Sequence, residues 1–138
     1  MFEHILSALD GSSHDTRTLA ATKELARLAG GQVRVVHVRE GHFIGRAGFV
    51  PSEEPDDVVK VVDRAVADLV DAGVKATGTV RASISGLVVA EILAEAEECG
   101  ASVIVMGTRG VNDLTDLLVG STAHKVLHLG RLPVLVTR

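Results

Sequence analysis

Residues 106–122 read Met106-Gly-Thr-Arg-Gly-Val-Asn-Asp-Leu-Thr-Asp-Leu-Leu-Val-Gly-Ser-Thr122. The residues before them, 101–106, are almost all apolar and rich in β-branched side chains, which predicts a strand buried on both faces of a parallel sheet. Gly107 and Gly110 follow that strand directly, and Gly120-Ser-Thr122 opens a predicted helix over 123–129. Glycine lets main-chain N–H groups approach an anion, and a helix N-terminus attracts one. The pattern predicts a phosphate-binding turn.

Two alternatives stay open on the spacing alone. Gly107 and Gly110 can simply end a strand, and Gly120-Ser121 can simply cap a helix. The spacing is not that of a dinucleotide-binding Gly-x-Gly-x-x-Gly, and no Lys follows the last glycine as a Walker-type loop requires.

The order of the predicted elements indicates the fold class. Buried strands alternate with amphipathic helices from residue 4 to residue 137, which predicts an α/β domain with a doubly wound, five-stranded parallel sheet and helices on both faces. Residues 41–55 contain three glycines and two prolines without a sustained period, and we expect a long irregular connection there. Asp10 follows the first strand and would reach the ligand-binding edge of such a sheet, although a turn or helix-cap aspartate is the plainer interpretation.

Length and composition exclude several classes of function. A chain of 138 residues fits one domain, residues 1–138. The net charge is −4 and the aromatic residues are three Phe, so we expect no nucleic-acid partner. No apolar run is long enough to cross a bilayer, and the N-terminus lacks the features of a signal peptide, so we expect a cytoplasmic protein with no membrane partner.

The glycine spacing, continued into Pro133-Val-Leu-Val136, resembles the ATP-binding signature of the universal stress protein family. The resemblance extends to Ile5-Leu-Ser-Ala-Leu-Asp10 and to Val35-Val-His-Val38, so it covers nearly the whole chain. It implies a Rossmann-like fold with strand order 3-2-1-4-5, in which Asp10 and Gly107 face the crevice at the topological switch point. It also implies a homodimer that pairs through the last strand.

The resemblance implies a role for each matching residue in binding ATP. Asp10 would bind the nucleoside and Val38 the adenine through its main chain. Met106 and Gly107 would contact the ribose region, and the phosphates would be held by Gly110, Gly120, Ser121 and Thr122. The resemblance thus implies an adenine-nucleotide-binding protein with a regulatory or stress-response role.

Other chemistry-bearing residues give weaker patterns. Asp113 and Asp116 lie between the glycines, where they would oppose a triphosphate unless Mg²⁺ bridges them; solvated loop acids are the alternative. His124 and His128 lie one helical turn apart without a third metal ligand nearby. His37, inside a buried strand, is interpreted as a hydrogen-bonded core residue.

No residue is assigned a catalytic role, and any ATP hydrolysis would be slow because no general base is evident at the γ-phosphate. Two alternatives to a nucleotide-binding regulator stay open. One is a dimeric interaction scaffold without nucleotide, and the other is a slow ATPase.

Overall fold

A computed structural model describes residues 1–84, 86–108 and 120–138 of the chain. Six strands and four α-helices are present in those ranges. The strands are β1 (His4–Leu9), β2 (Gln32–Ile44), β3 (Gly48–Pro51), β4 (Ala76–Ile84), β5 (Val103–Gly107) and β6 (Val134–Thr137). The helices are α1 (Asp15–Ala29), α2 (Pro55–Asp71), α3 (Val88–Glu98) and α4 (Ser121–Leu129), and a 3-10 turn (Gly45–Ala47) joins β2 to β3.

The strands form one sheet. Its five parallel strands lie in the order β4-β2-β1-β5-β6, with β1 at the centre. The predicted doubly wound α/β class is confirmed. The prediction of a five-stranded, purely parallel sheet is wrong in one detail, because β3 adds a sixth strand that pairs with β2 in the antiparallel direction.

This hairpin also corrects the expectation of an irregular connection over 41–55. Strand β2 continues past Val38 to Ile44 and pairs with β3. The ring of Phe49 lies over Gly41, where a Cβ would come within 2.3 Å of that ring and 2.8 Å of the Val50 carbonyl oxygen, so a larger residue would force the two strands to shift. Gly45 and Gly48 have φ angles of 41° and 72°, which L side chains rarely adopt, and they turn the chain between the strands.

Side chains alternate across the sheet and build a hydrophobic core on each face. On one face Ile5 and Leu9 of β1 pack with α1 and α2. On the other face Leu6 of β1 and Ile104 of β5 pack with α3 and α4. The sheet is therefore covered on both sides at its centre, which leaves the ends of the strands as the places where a ligand can enter.

None of the helices in the described parts of the chain combines the length and apolar character needed to cross a membrane.

Candidate functional site

A cleft of about 810 Å³ opens at the carboxyl ends of the central strands. Strand β1 continues into α1 on one face of the sheet, whereas β5 is followed in the described chain by α4 on the other face. Connections that leave adjacent parallel strands toward opposite faces create the crevice in which open α/β sheets bind ligands. The volume lies within the range typical of small-molecule sites.

The cleft brings together seven of the eight residues that the sequence predicts for the site. They are Asp10, Val38, Met106, Gly107, Gly120, Ser121 and Thr122. The eighth, Gly110, lies outside the described residues, as do Arg109, Asp113 and Asp116. The binding roles of these residues stay predictions.

The turn after β1 is held by two carboxylates. The Ser12 main-chain N–H donates to Oδ1 of Asp10 at 2.9 Å, so Asp10 is a turn aspartate as well as a residue of the cleft. Asp15, the first residue of α1, accepts from the N–H of Asp10 at 3.2 Å and from that of Gly11 at 2.8 Å. Gly11 has a φ of 81°. The turn thereby fixes where the Asp10 carboxyl group lies.

Asp15 is a cleft residue that the sequence did not predict. Burial raises the pKa of its carboxyl group to about 7, and the negative charge of Asp10 adds to the effect. Near neutral pH this carboxyl group is therefore partly protonated. The two acids together then carry less than two full negative charges.

A histidine–glutamate pair lies at the same end of the cleft. His37 of β2 is 2% exposed, and its Nδ1 lies 2.9 Å from the carbonyl oxygen of Leu9. Its Nε2 lies 3.1 Å and 3.0 Å from the two carboxyl oxygens of Glu53, which belongs to the segment between β3 and α2. The interpretation of His37 as a hydrogen-bonded buried residue is confirmed, but the residue also lines the cleft.

The opposite end of the cleft is the N-terminus of α4. Gly120 precedes the helix, and its N–H donates to the carbonyl of Thr108 at 2.6 Å. The first bond within the helix is from the N–H of His124 to the carbonyl of Gly120 at 2.9 Å. The N–H groups of residues 121–123 come before His124 and have no acceptor within the helix. Ser121 and Thr122 line the cleft. A helix N-terminus of this kind offers neutral hydrogen-bond donors and a positive dipole end to an anion.

Thr108 links β5, β6 and α4 at this end of the cleft. Its N–H donates to the carbonyl of Thr137 in β6 at 2.7 Å, and its carbonyl receives the Gly120 N–H. The residue is buried and lines the cleft. The end of β5 is therefore fixed to both the last strand and the start of α4.

Sequence reasoning did not assign several residues that line the cleft. Besides His37, those with titratable side chains are His14, Asp15, Glu40, His42 and Glu53. Their signal in the sequence was weak, because each is an ordinary polar residue outside any recognisable motif, and only the fold brings them together. Among the described lining residues there is no Lys or Arg.

His124 and His128 lie on α4 with their rings stacked at a centroid distance of 6.4 Å. Within residues 1–84, 86–108 and 120–138, no group of three or more His, Cys, Asp or Glu side chains is arranged to hold a metal ion.

The fold and cleft define a doubly wound α/β protein with a ligand crevice at its topological switch point. The sequence model of the Universal stress protein family matches residues 1–138, and the chain belongs to that family. The chain is 31% identical to universal stress protein YxiE of Bacillus subtilis over 151 residues, with all of both chains covered.

Solved structures agree with this assignment. A universal stress protein from Archaeoglobus fulgidus superposes with a TM-score of 0.79 at 26% identity, with all of both chains covered. A universal stress protein from the same organism, solved in complex with dAMP, superposes with a TM-score of 0.71 at 23% identity and covers 100% of this chain and 98% of its own. At that identity the second comparison shows the shared fold.

Proposed function

We propose that this protein binds an adenine nucleotide, ATP, in the cleft between the carboxyl ends of β1 and β5. The nucleoside is bound by Asp10 and by the main chain of Val38, with Met106 and Gly107 beside the ribose. Gly110, Gly120, Ser121 and Thr122 bind the phosphates.

One observation carries this proposal: a single cleft joins two ends of different chemistry. Asp10 and the other carboxyl groups at one end accept hydrogen bonds from the hydroxyl and amino groups of a nucleoside. The N-terminus of α4 at the other end offers main-chain donors and small hydroxyl side chains to phosphate. The volume of about 810 Å³ accommodates both parts of one ligand. The dAMP complex of the Archaeoglobus fulgidus relative supports an adenine nucleotide as the ligand class.

The charge of the cleft suggests that ATP enters with Mg²⁺. Asp10, Asp15, Glu40 and Glu53 line it, and carboxylates near a triphosphate oppose binding. A divalent cation on the phosphates lowers the charge of the ligand and reduces this repulsion. We expect Mg-ATP to bind more tightly than ATP in the presence of a chelator.

We assign the protein a regulatory or stress-response role as a cytoplasmic nucleotide-binding protein, without a catalytic residue. Strand β6 is the last strand of the sheet within the described part of the chain, and its outer edge there offers main-chain N–H and C=O groups to another strand. The side chain of Leu135 on this strand is 40% exposed. These features support a homodimer that forms by strand addition at β6.

The first experiment is to denature the purified protein and identify any released nucleotide by chromatography and mass spectrometry, followed by calorimetric titration with Mg-ATP. The test variant is Gly120→Glu, which places a carboxylate at the phosphate end. The matched control is His128→Glu, which adds the same charge at an exposed position of the same helix.

We expect about one nucleotide per chain, released or bound, for the native protein and the control, and a large loss for Gly120→Glu with an unchanged circular dichroism spectrum. An absence of nucleotide in all three proteins would contradict the proposal and favour an interaction scaffold. Phosphate release that Gly120→Glu abolishes would instead indicate an ATPase.

A further inference from the structure

The carboxyl group of Glu53 is unusual among the acids of the cleft, because a buried partner holds it. Nε2 of His37 lies within hydrogen-bond distance of both oxygens, and His37 is 2% exposed whereas the Glu53 side chain is 35% exposed. The protein therefore fixes a carboxylate at the boundary between the core and the cleft.

The hydrogen bonds of His37 determine which atom donates. The Leu9 carbonyl carries no proton, so Nδ1 of His37 must donate to it. One proton then lies between Nε2 and the Glu53 carboxyl group. A carboxyl group can take part in several hydrogen bonds, and the contact with Nε2 of His37 uses only part of that capacity. The remaining capacity is available on the cleft side.

The main chain fixes Glu53 as well. The Arg39 Nε donates to the carbonyl of Glu53 at 3.1 Å, and the Ser52 N–H donates to the carbonyl of Glu40 at 2.8 Å. Two consecutive residues, Ser52 and Glu53, are thus hydrogen-bonded to Arg39 and Glu40 of β2. A hydrogen-bonding group whose geometry is set before binding loses little entropy when a ligand arrives.

The position of the pair places it at the nucleoside end. His37 directly precedes Val38, and its partner Leu9 directly precedes Asp10, so the pair lies beside both residues proposed to hold the nucleoside. Oε2 of Glu53 would lie 3.8 Å from a Cβ at Gly11, in the turn after Asp10.

The neighbouring acids are already engaged in that turn. Both oxygens of Asp15 accept main-chain N–H groups, and Oδ1 of Asp10 accepts the Ser12 N–H. Among these three acids, Glu53 comes from the segment between β3 and α2 and not from the turn after β1.

We propose that Glu53 is a specificity-determining residue that accepts a hydrogen bond from a donor group of the bound nucleoside, with His37 as its positioning residue. The donor is a sugar hydroxyl or the exocyclic amine of adenine, which present the same chemistry. This inference rests on the proposed nucleotide binding and names a residue that contributes to its selectivity.

The test compares three nucleotides on three proteins by calorimetric titration in the presence of Mg²⁺. The nucleotides are ATP, 2′,3′-dideoxy-ATP, which lacks the sugar hydroxyls, and inosine triphosphate, which lacks the amine. The proteins are the native chain, Glu53→Gln and the matched control Glu54→Gln, which removes the same charge from the adjacent exposed residue. Thermal unfolding checks that each variant is folded.

We expect the native protein to bind ATP roughly tenfold more tightly than one of the two analogues. This factor corresponds to the loss of one charge-assisted hydrogen bond between Glu53 and the nucleoside. In Glu53→Gln, ATP binding weakens by about that factor while binding of the affected analogue is unchanged, so the preference disappears. The analogue identifies the donor. Glu54→Gln behaves as the native protein.

Three results would overturn the inference. They are an equal preference in Glu53→Gln and the native protein, no preference against either analogue in the native protein, and an equal effect of Glu54→Gln. In all three ATP still binds, so the proposed function survives. If the native protein binds none of the nucleotides, the proposed function and this inference fail together.

A second measurement needs no variant. In the native protein labelled with ¹⁵N, saturating ATP should shift the imidazole resonances of His37, because the carboxylate that contacts its Nε2 gains a second donor. The exposed ring of His128 serves as the internal reference and should not shift. Unmoved His37 resonances under conditions where ATP is bound would refute a contact between the ligand and Glu53.

Discussion

Two buried hydroxyl groups between β1 and α1 allow a prediction whose size follows from the hydrogen-bond geometry. Ser7 and Thr22 are both 0% exposed, and their hydroxyl oxygens lie 2.9 Å apart. The Thr22 hydroxyl donates its one proton to the carbonyl of Thr18 at 2.8 Å. Ser7 must therefore be the donor in the bond between the two side chains.

The direction of that bond makes the two deletions unequal. Thr22→Val is nearly isosteric but leaves the Ser7 O–H buried without its acceptor, which costs about 1–3 kcal/mol of unfolding free energy. Ser7→Ala removes the donor while Thr22 keeps its bond to Thr18, which costs about 0.5–1.5 kcal/mol. In the double variant no donor is left unpaired, so we expect it to be more stable than Thr22→Val alone.

Urea unfolding at a fixed protein concentration, followed by circular dichroism, measures the four free energies of this cycle. Thr16→Val, at an exposed position of the same helix, controls for helix propensity and should change stability by less than about 0.5 kcal/mol. If the cost of the double variant equals the sum of the single costs, the hydroxyl groups do not interact. The assigned direction of the bond would then be refuted.

Three further predictions concern charge and the sheet edge. The pKa of Asp15 is raised from 3.8 to about 7, so the folded state binds its proton more tightly than the unfolded state. The free energy of unfolding should therefore fall as pH rises from about 4 to about 7 and then level off. Asp15→Asn should remove this contribution from the pH profile. Arg81→Met should cost up to about 3 kcal/mol in urea unfolding because the buried carboxylate of Glu95 loses its partner at 2.8 Å and keeps only the longer ion pair with Arg34 at 3.5 Å. Lys23→Met, which breaks a more exposed ion pair, should cost less than about 1 kcal/mol. Leu135→Lys should shift the proposed dimer toward monomer in light scattering while the circular dichroism spectrum stays the same, and an unchanged mass would contradict assembly through β6.

The fold class was predictable because the sequence marks buried parallel strands directly. Runs such as Val103–Val105 can be apolar at every position only when both faces of the strand are covered. The meeting of Gly107 and Gly120 at one cleft was predictable for a similar reason, since these residues stand next to clear strand and helix patterns. In these cases the relevant interactions are local or follow from one periodicity.

The hairpin and its acid were not predictable in this way. Strand β3 is four residues long, and it pairs with β2 because Gly41 leaves room for the ring of Phe49 across the sheet. Neither Gly41 nor Phe49, taken alone in the sequence, indicates that the two residues pack together. Glu53 lies 16 residues from His37, and its contact depends on the hairpin's return to the sheet. The periodicity of the sequence therefore does not predict the contact between Glu53 and His37.

The distribution of charge in the cleft indicates which part of a nucleotide the proposed site would discriminate. The nucleoside end carries several carboxyl groups, whereas the described phosphate end offers main-chain donors, hydroxyl groups and a helix dipole but no cationic side chain. Each added phosphate would bring negative charge near the carboxyl groups of the cleft, and this repulsion opposes the contacts that the phosphate gains at the N-terminus of α4. Carboxyl groups whose positions are fixed by the protein, by contrast, lose a hydrogen bond when the nucleoside lacks the matching donor. Selectivity in such a cleft would therefore come mainly from the nucleoside, at the end that Asp10, His37 and Glu53 form.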